Sequence, residues 1–256
     1  MSQKVIDWNL QARVESWNLI VGIAKSMRLT LSPVATTSYL TLNEFLQKKI
    51  PTEYSLIILC VTSLFIGTKS EYKDVPLDKF IEFSSKFVKT LNYGQKMLFN
   101  EEDVNILARN DKFYFHKTKS QILMCEIVIL TYNNWEFITN HPFTPLHYWL
   151  KEMREVIRAH GRVEEKEQTF RQLRSTAAKY LCILIVSSEK EIDERIISGA
   201  AITQAFREHT DAIPGATADN WADKFVNPEE KEKIMELASL IADFQQSAVS
   251  SLITEE

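Results

Sequence analysis

Apolar residues recur every three or four positions through most of this chain, and no segment alternates strictly over a useful length. Val14, Trp17, Ile20, Val21, Ala24 and Met27 fall on one helical face, and Val34, Tyr39, Leu42, Phe45 and Leu46 on another. The pattern predicts helices over about 13–28, 33–48, 53–69, 77–91, 117–133, 145–159, 166–182, 193–208 and 228–249, with an extra turn around 4–10. The runs at 53–69 and 117–133 are apolar nearly all round, so each is expected at the buried centre of a bundle. Ser32-Pro33, Thr144-Pro145 and Asn227-Pro228 each read as an N-cap followed by the first helical residue. The expectation is an all-α protein.

The order of elements suggests two helical bundles in tandem, of about five helices each, dividing near 140–144. The expected parts are an amino-terminal extension over 1–10, a first bundle over 11–140 and a second over 141–250. Residues 92–116 form a mostly polar insertion in the first bundle, carrying the aromatic patch Phe113-Tyr-Phe115. It reads as a surface excursion with one short helix or as a flexible loop. In the second half a run Tyr180–Val186 is followed by a small-residue helix, Ile196–Phe206, a Pro214-Gly215 loop, and Trp221 and Phe225 before the last helix.

Composition narrows the function classes. An apolar fraction of 45% with 25% charged residues is that of a folded chain. A net charge of −4 argues against binding nucleic acid by neutralising phosphates, so no direct nucleic-acid contact is expected. The longest low-polarity run, Leu56–Gly67, is shorter than the roughly 20 residues that span a bilayer, and the amino terminus has no signal-peptide core. A soluble intracellular protein is expected. Cys60, Cys125 and Cys182 each lie inside an apolar run and are expected to be buried and reduced. The five histidines form no ligand cluster, so neither metal nor cofactor is expected. With no glycine-rich phosphate loop, nucleophile elbow or paired-carboxylate motif, no catalytic residue can be named.

Two charges break the apolar pattern. Glu126 stands alone within Gln121–Leu130, and Lys69 closes the run that begins at Leu56. Glutamate is rarely buried without a partner, and an unpaired buried carboxylate would take up a proton. Lys69 could simply complement a helix C-terminus, and Glu126 could belong to a structural ion pair. The sharper expectation is that the two meet on one exposed face, ringed by Leu130 and Trp135, and recognise a partner.

These residues resemble the cyclins, and among them the transcription-associated cyclins T, K and C. Arg13-Val-Glu-Ser-Trp-Asn-Leu-Ile20 with Met27-Arg-Leu29 is similar to the first helix of a cyclin box. Leu59 through Lys69-Ser-Glu71 is similar to the third, which in cyclins ends in Lys-x-Glu-Glu. Cys125-Glu126 through Trp135-Glu136-Phe137 resembles the fifth, and His141-Pro142-Phe143 the step into a second box. The likeness spans about residues 11–246, and no tail-borne activity of the cyclin T and K kind is expected.

The resemblance implies tandem cyclin boxes and a non-catalytic nuclear subunit. It would form a heterodimer with a cyclin-dependent protein kinase and activate it, without membrane attachment or homo-oligomerisation. The kinase would be one that phosphorylates the RNA polymerase II tail. Lys69 and Glu126 would hydrogen-bond the kinase where its regulatory helix begins, with Ile66, Leu130, Trp135 and Phe137 as the apolar rim. The alternative is a basal transcription factor on the same fold, binding DNA and polymerase. Two departures stand out: Tyr72 replaces the second motif glutamate, and Asn43 replaces the aspartate that usually accompanies the first-helix arginine. With Glu15 and Ser16 polar beside Arg13, substrate docking at that arginine is not expected.

Overall fold

The computed structural model describes residues 5–29, 31–71, 73, 75–91, 99, 101–109, 112–136, 141–159, 163–188, 193–210 and 212–245. These residues are helical throughout their regular structure, with no β-strand among them. The chain divides into two compact units, Met1–Thr139 and Asn140–Glu256.

The first unit is built around one helix. α1 (Leu10–Ser26) starts where the Asn9 side chain accepts the Ala12 N–H at 3.0 Å, satisfying a donor that the helix itself cannot. Its Val14, Trp17, Ile20, Ile23 and Ala24 are buried at three- and four-residue steps, against α2 (Leu31–Gln47) and α3 (Leu56–Ser70). In α3 every residue from Leu56 to Thr68 is buried, as its all-round apolar pattern predicts. Gly67 allows α3 its close approach to α2: a Cβ there would lie 2.1 Å from Ser38 Oγ and 3.0 Å from the Val34 carbonyl oxygen. α4 (Leu77–Val88) adds Phe80, whose ring stands 5.2 Å from that of Phe65 on α3.

Within the polar insertion the described residues include a short helix that packs inward; residues 92–98, 100, 110 and 111 lie outside the described residues. α5 (Glu101–Ala108) buries Val104 and Leu107, and Phe99 before it is buried as well. α6 (Lys112–Tyr132) begins earlier than the periodicity predicts, so Phe113–Phe115 form its first turn instead of belonging to the insertion. Its placement corrects a second expectation. α6 is not the buried centre of the unit: Thr118, Ile122, Cys125, Ile129 and Leu130 face inward, while Leu123, Met124 and Ile127 face solvent. One helix at the centre leaves its neighbours an outer side, and all-round hydrophobicity cannot tell which helix takes which place.

The second unit repeats the theme of one enclosed helix. α7 (Phe143–Ala159) buries Phe143, Leu146, Trp149, Leu150, Met153 and Ile157. α8 (Val163–Ser187) continues past 182 through the whole Tyr180–Val186 run. α9 (Glu194–Glu208) is capped by Asp193, whose carboxylate accepts the Arg195 N–H at 2.8 Å and the Ile196 N–H at 3.3 Å. From Ile197 to Phe206 it is entirely buried, packing against α8, α10 (Pro228–Gln245) and α7. Trp221, in a single 3-10 turn, joins Trp149, Phe206 and Phe225 and donates its indole N–H to Thr203 Oγ1 at 2.9 Å.

Cys60 and Cys125 are buried, as expected; Cys182 is only half-buried, although its neighbours Leu181 and Ile183 are buried. Arg13 is buried. Asn43 is engaged elsewhere, its amide oxygen accepting the Trp8 indole N–H at 2.8 Å. Pro142 is buried, and the His141 carbonyl accepts the Thr144 N–H at 2.9 Å, opening α7.

Candidate partner-binding site

Lys69 sits in the last turn of α3, where the unpaired carbonyls of a helix end favour a cation. Glu126 lies midway along α6, which packs against α3. The Lys69 ammonium reaches Glu126 Oε1 at 2.6 Å and stands 4.3 Å above the Phe65 ring. Phe65 is itself buried and backed by Phe80, so the lysine stem rests on a fixed aromatic floor. Lys69 keeps 48% of its side-chain surface in solvent and Glu126 12%. The exposure of Lys69 limits what the pair adds to the stability of the chain that carries it, while Glu126 is largely covered.

Next to the pair, α3 ends in a second fixed charge. Glu71 closes the helix with its N–H donated to the Gly67 carbonyl at 3.0 Å, and its carboxylate accepts the Thr37 hydroxyl of α2 at 2.9 Å. Lys73 N–H returns to the Thr68 carbonyl at 2.8 Å. Tyr72 lies outside the described residues.

The outer face of α6 completes the surface. Leu123, Met124 and Ile127 are each between 41% and 58% exposed, and Phe113 lies on the same stripe a few turns earlier. Trp135, just past the helix end, is 58% exposed. Of the exposed apolar residues on α6, Leu123 precedes Glu126 by one helical turn, while Met124 and Ile127 lie further round the helix.

The predicted site residues separate into three groups. Lys69 and Glu126 come together and Trp135 is exposed near the end of the same helix. Ile66 and Leu130 do not form a rim: at 1% and 6% exposure they belong to the core, Ile66 because α3 is enclosed on every side there and Leu130 because it falls on the inward face of α6. Phe137 lies outside the described residues. The pattern reading missed Leu123, Met124 and Ile127. Two stripes on one helix make it apolar all round, a pattern that burial on every side produces equally.

Among the described residues no three of His, Cys, Asp and Glu are grouped so as to hold a metal ion, and no helix is long and apolar enough to cross a membrane. No family model and no curated protein matches the chain by sequence.

Proposed function

We propose that this chain is a cyclin-type regulatory subunit that binds a cyclin-dependent protein kinase and activates it. By its likeness to cyclins T, K and C, the kinase is one that phosphorylates the RNA polymerase II tail, and the site of action is the nucleus. The observation that carries the reading is the Lys69–Glu126 contact, made across two helices, with the exposed Leu123 one turn before Glu126 on α6. An ammonium has three protons and a carboxylate two oxygens, so their contact uses one of each. The remaining capacity suits the unpaired carbonyls and amides at the end of a partner's helix, which need partners once an interface excludes water.

The subunit supplies no catalytic atom. Bound against the kinase's regulatory helix, it holds that helix where the kinase's own Lys–Glu ion pair and metal-binding Asp are aligned. Its leverage equals its preference for the active over the inactive kinase. The test is phosphorylation of a polymerase-tail peptide by purified cyclin-dependent kinases, each with and without this chain. Activation of at least one, lost on Glu126→Ala, is the expected result. No complex and no activation with any of them would reject the proposal.

A further inference from the structure

The end of α6 is built in an unusual way. Asn134 and Trp135 both take left-handed backbone conformations, with φ of 55° and 59°. The Trp135 N–H returns to the Leu130 carbonyl at 2.7 Å and the Asn134 N–H to Thr131 at 3.2 Å, the paired bonds of a Schellman end. Asparagine tolerates this conformation, but a bulky side chain adopts it rarely and only where its surroundings hold it there.

The surroundings are supplied by α2. Asn133, the residue before the turn, is buried to 1%, and its amide N–H donates to the Thr41 carbonyl at 3.1 Å. Lys48, just past the end of α2, donates to the Tyr132 carbonyl and lies 3.3 Å from Asn133 Oδ1. Glu44 holds the same ammonium at 3.0 Å. The capped end of α6 is thereby also tied to α2, through the Tyr132 carbonyl and the Asn133 side chain, and the left-handed turn that follows leaves Trp135 exposed.

We infer that Asn133 and Lys48 are positioning residues, a clamp that fixes the left-handed turn and so presents the Trp135 indole to the bound partner. The inference rests on the kinase-binding reading given above. A fixed aromatic loses less freedom on binding than a mobile one, and large aromatics carry a disproportionate share of interface energy. Trp135 stands out for such a role: Trp17, Trp149 and Trp221 are buried and Trp8 is partly covered.

The test labels the full chain with 5-fluorotryptophan and follows the Trp135 fluorine resonance, assigned by its loss in Trp135→Phe. In the free chain, Lys48→Met and Asn133→Ala should shift that resonance while Lys48→Arg, which keeps the donors, leaves it near its place. Against a cyclin-dependent kinase that the wild-type chain activates, Lys48→Met and Asn133→Ala should each weaken binding about tenfold, equal to about 1.4 kcal/mol. In a Trp135→Ala background the same changes should cost no more than about twofold, because the clamp then has nothing to present. Thermal melts exclude loss of fold as the cause. A Trp135 resonance unmoved by Lys48→Met, or losses undiminished in the Trp135→Ala background, would overturn the clamp. A wild-type chain that binds none of the kinases would overturn the reading beneath it, whatever the resonance does.

Discussion

Cys60 and Cys125 have no exposed surface, and burial pushes each thiol from its ordinary 9.0 up to about 12. The nearby hydroxyls of Ser16 and Thr62 oppose the shift at Cys60 and Cys125 respectively, and in both burial prevails. Burial likewise raises the Tyr39 phenol against the opposing pull of Arg13. Since the thiolate is the reactive form, native protein near neutral pH should react with a thiol reagent at Cys182 first and at the other two only on unfolding. Fast labelling of two sites in the native chain would contradict this. The same shifts set an alkaline limit. These groups ionise more easily in the unfolded chain, so their contribution is whole below about pH 9 and declines by about 1.4 kcal/mol per pH unit for each thiol as the pH rises toward 12. Melting temperatures that stay flat from pH 9 to 11 would refute the assignment. Burial of Cys60 and Cys125 was legible in the sequence from their apolar runs, whereas the same signal at Cys182 overstated its burial. Lys69 and Glu126 were legible for a related reason: a lone charge in an apolar run must find a partner or a surface. Leu130 was not, since one position of register decides between rim and core on α6, and Ile66 sits in a helix enclosed on every side.

Helices α3 and α9 show how elements are specified. Both are enclosed along most of their length, but only α3 declares it by large apolar residues. α9 does so through Ser198, Gly199, Ala200, Ala201 and Ala205, whose small size lets neighbours close in. A Cβ at Gly199 would lie 2.4 Å from Ile234 Cδ1, and one at Gly67 would meet Ser38 and backbone. Gly67→Ala should therefore destabilise the first unit by about 1–3 kcal/mol, because the obstruction includes a carbonyl that cannot rotate away. Asp193→Ala should cost the second unit about 1 kcal/mol through loss of the α9 cap. Urea titrations followed by circular dichroism measure both; a Gly67→Ala variant as stable as wild type would show that α2 and α3 can separate at no cost. The reach of α6 and its two-sided character escaped the pattern reading for one reason. An exposed interface and a buried core use the same residues, and only the third dimension shows which neighbours are missing.

At the scale of the molecule, each unit carries its own core, one around α3 and the other around α9 and Trp221. The all-α class was readable from period alone. Heat or denaturant is expected to unfold the chain in a transition broader than a single two-state fit allows, since two cores need not melt together. Coincident, single-step melts by tryptophan fluorescence and circular dichroism would argue otherwise. The proposed kinase contact lies in the first unit, at the end of α3 and on α6. There Lys69 and Glu126 are proposed to act as one unit toward a kinase and hardly at all toward the fold. Titration calorimetry against an activated cyclin-dependent kinase, using Lys69→Ala, Glu126→Ala and the double variant, tests that claim most directly, with thermal melts alongside. Each single change should weaken binding by about 2–5 kcal/mol, and the double change should cost less than their sum, with melting temperatures nearly unmoved. Unchanged affinity in both single variants, or melting temperatures that fall in step with affinity, would contradict the account and assign the pair to the fold alone.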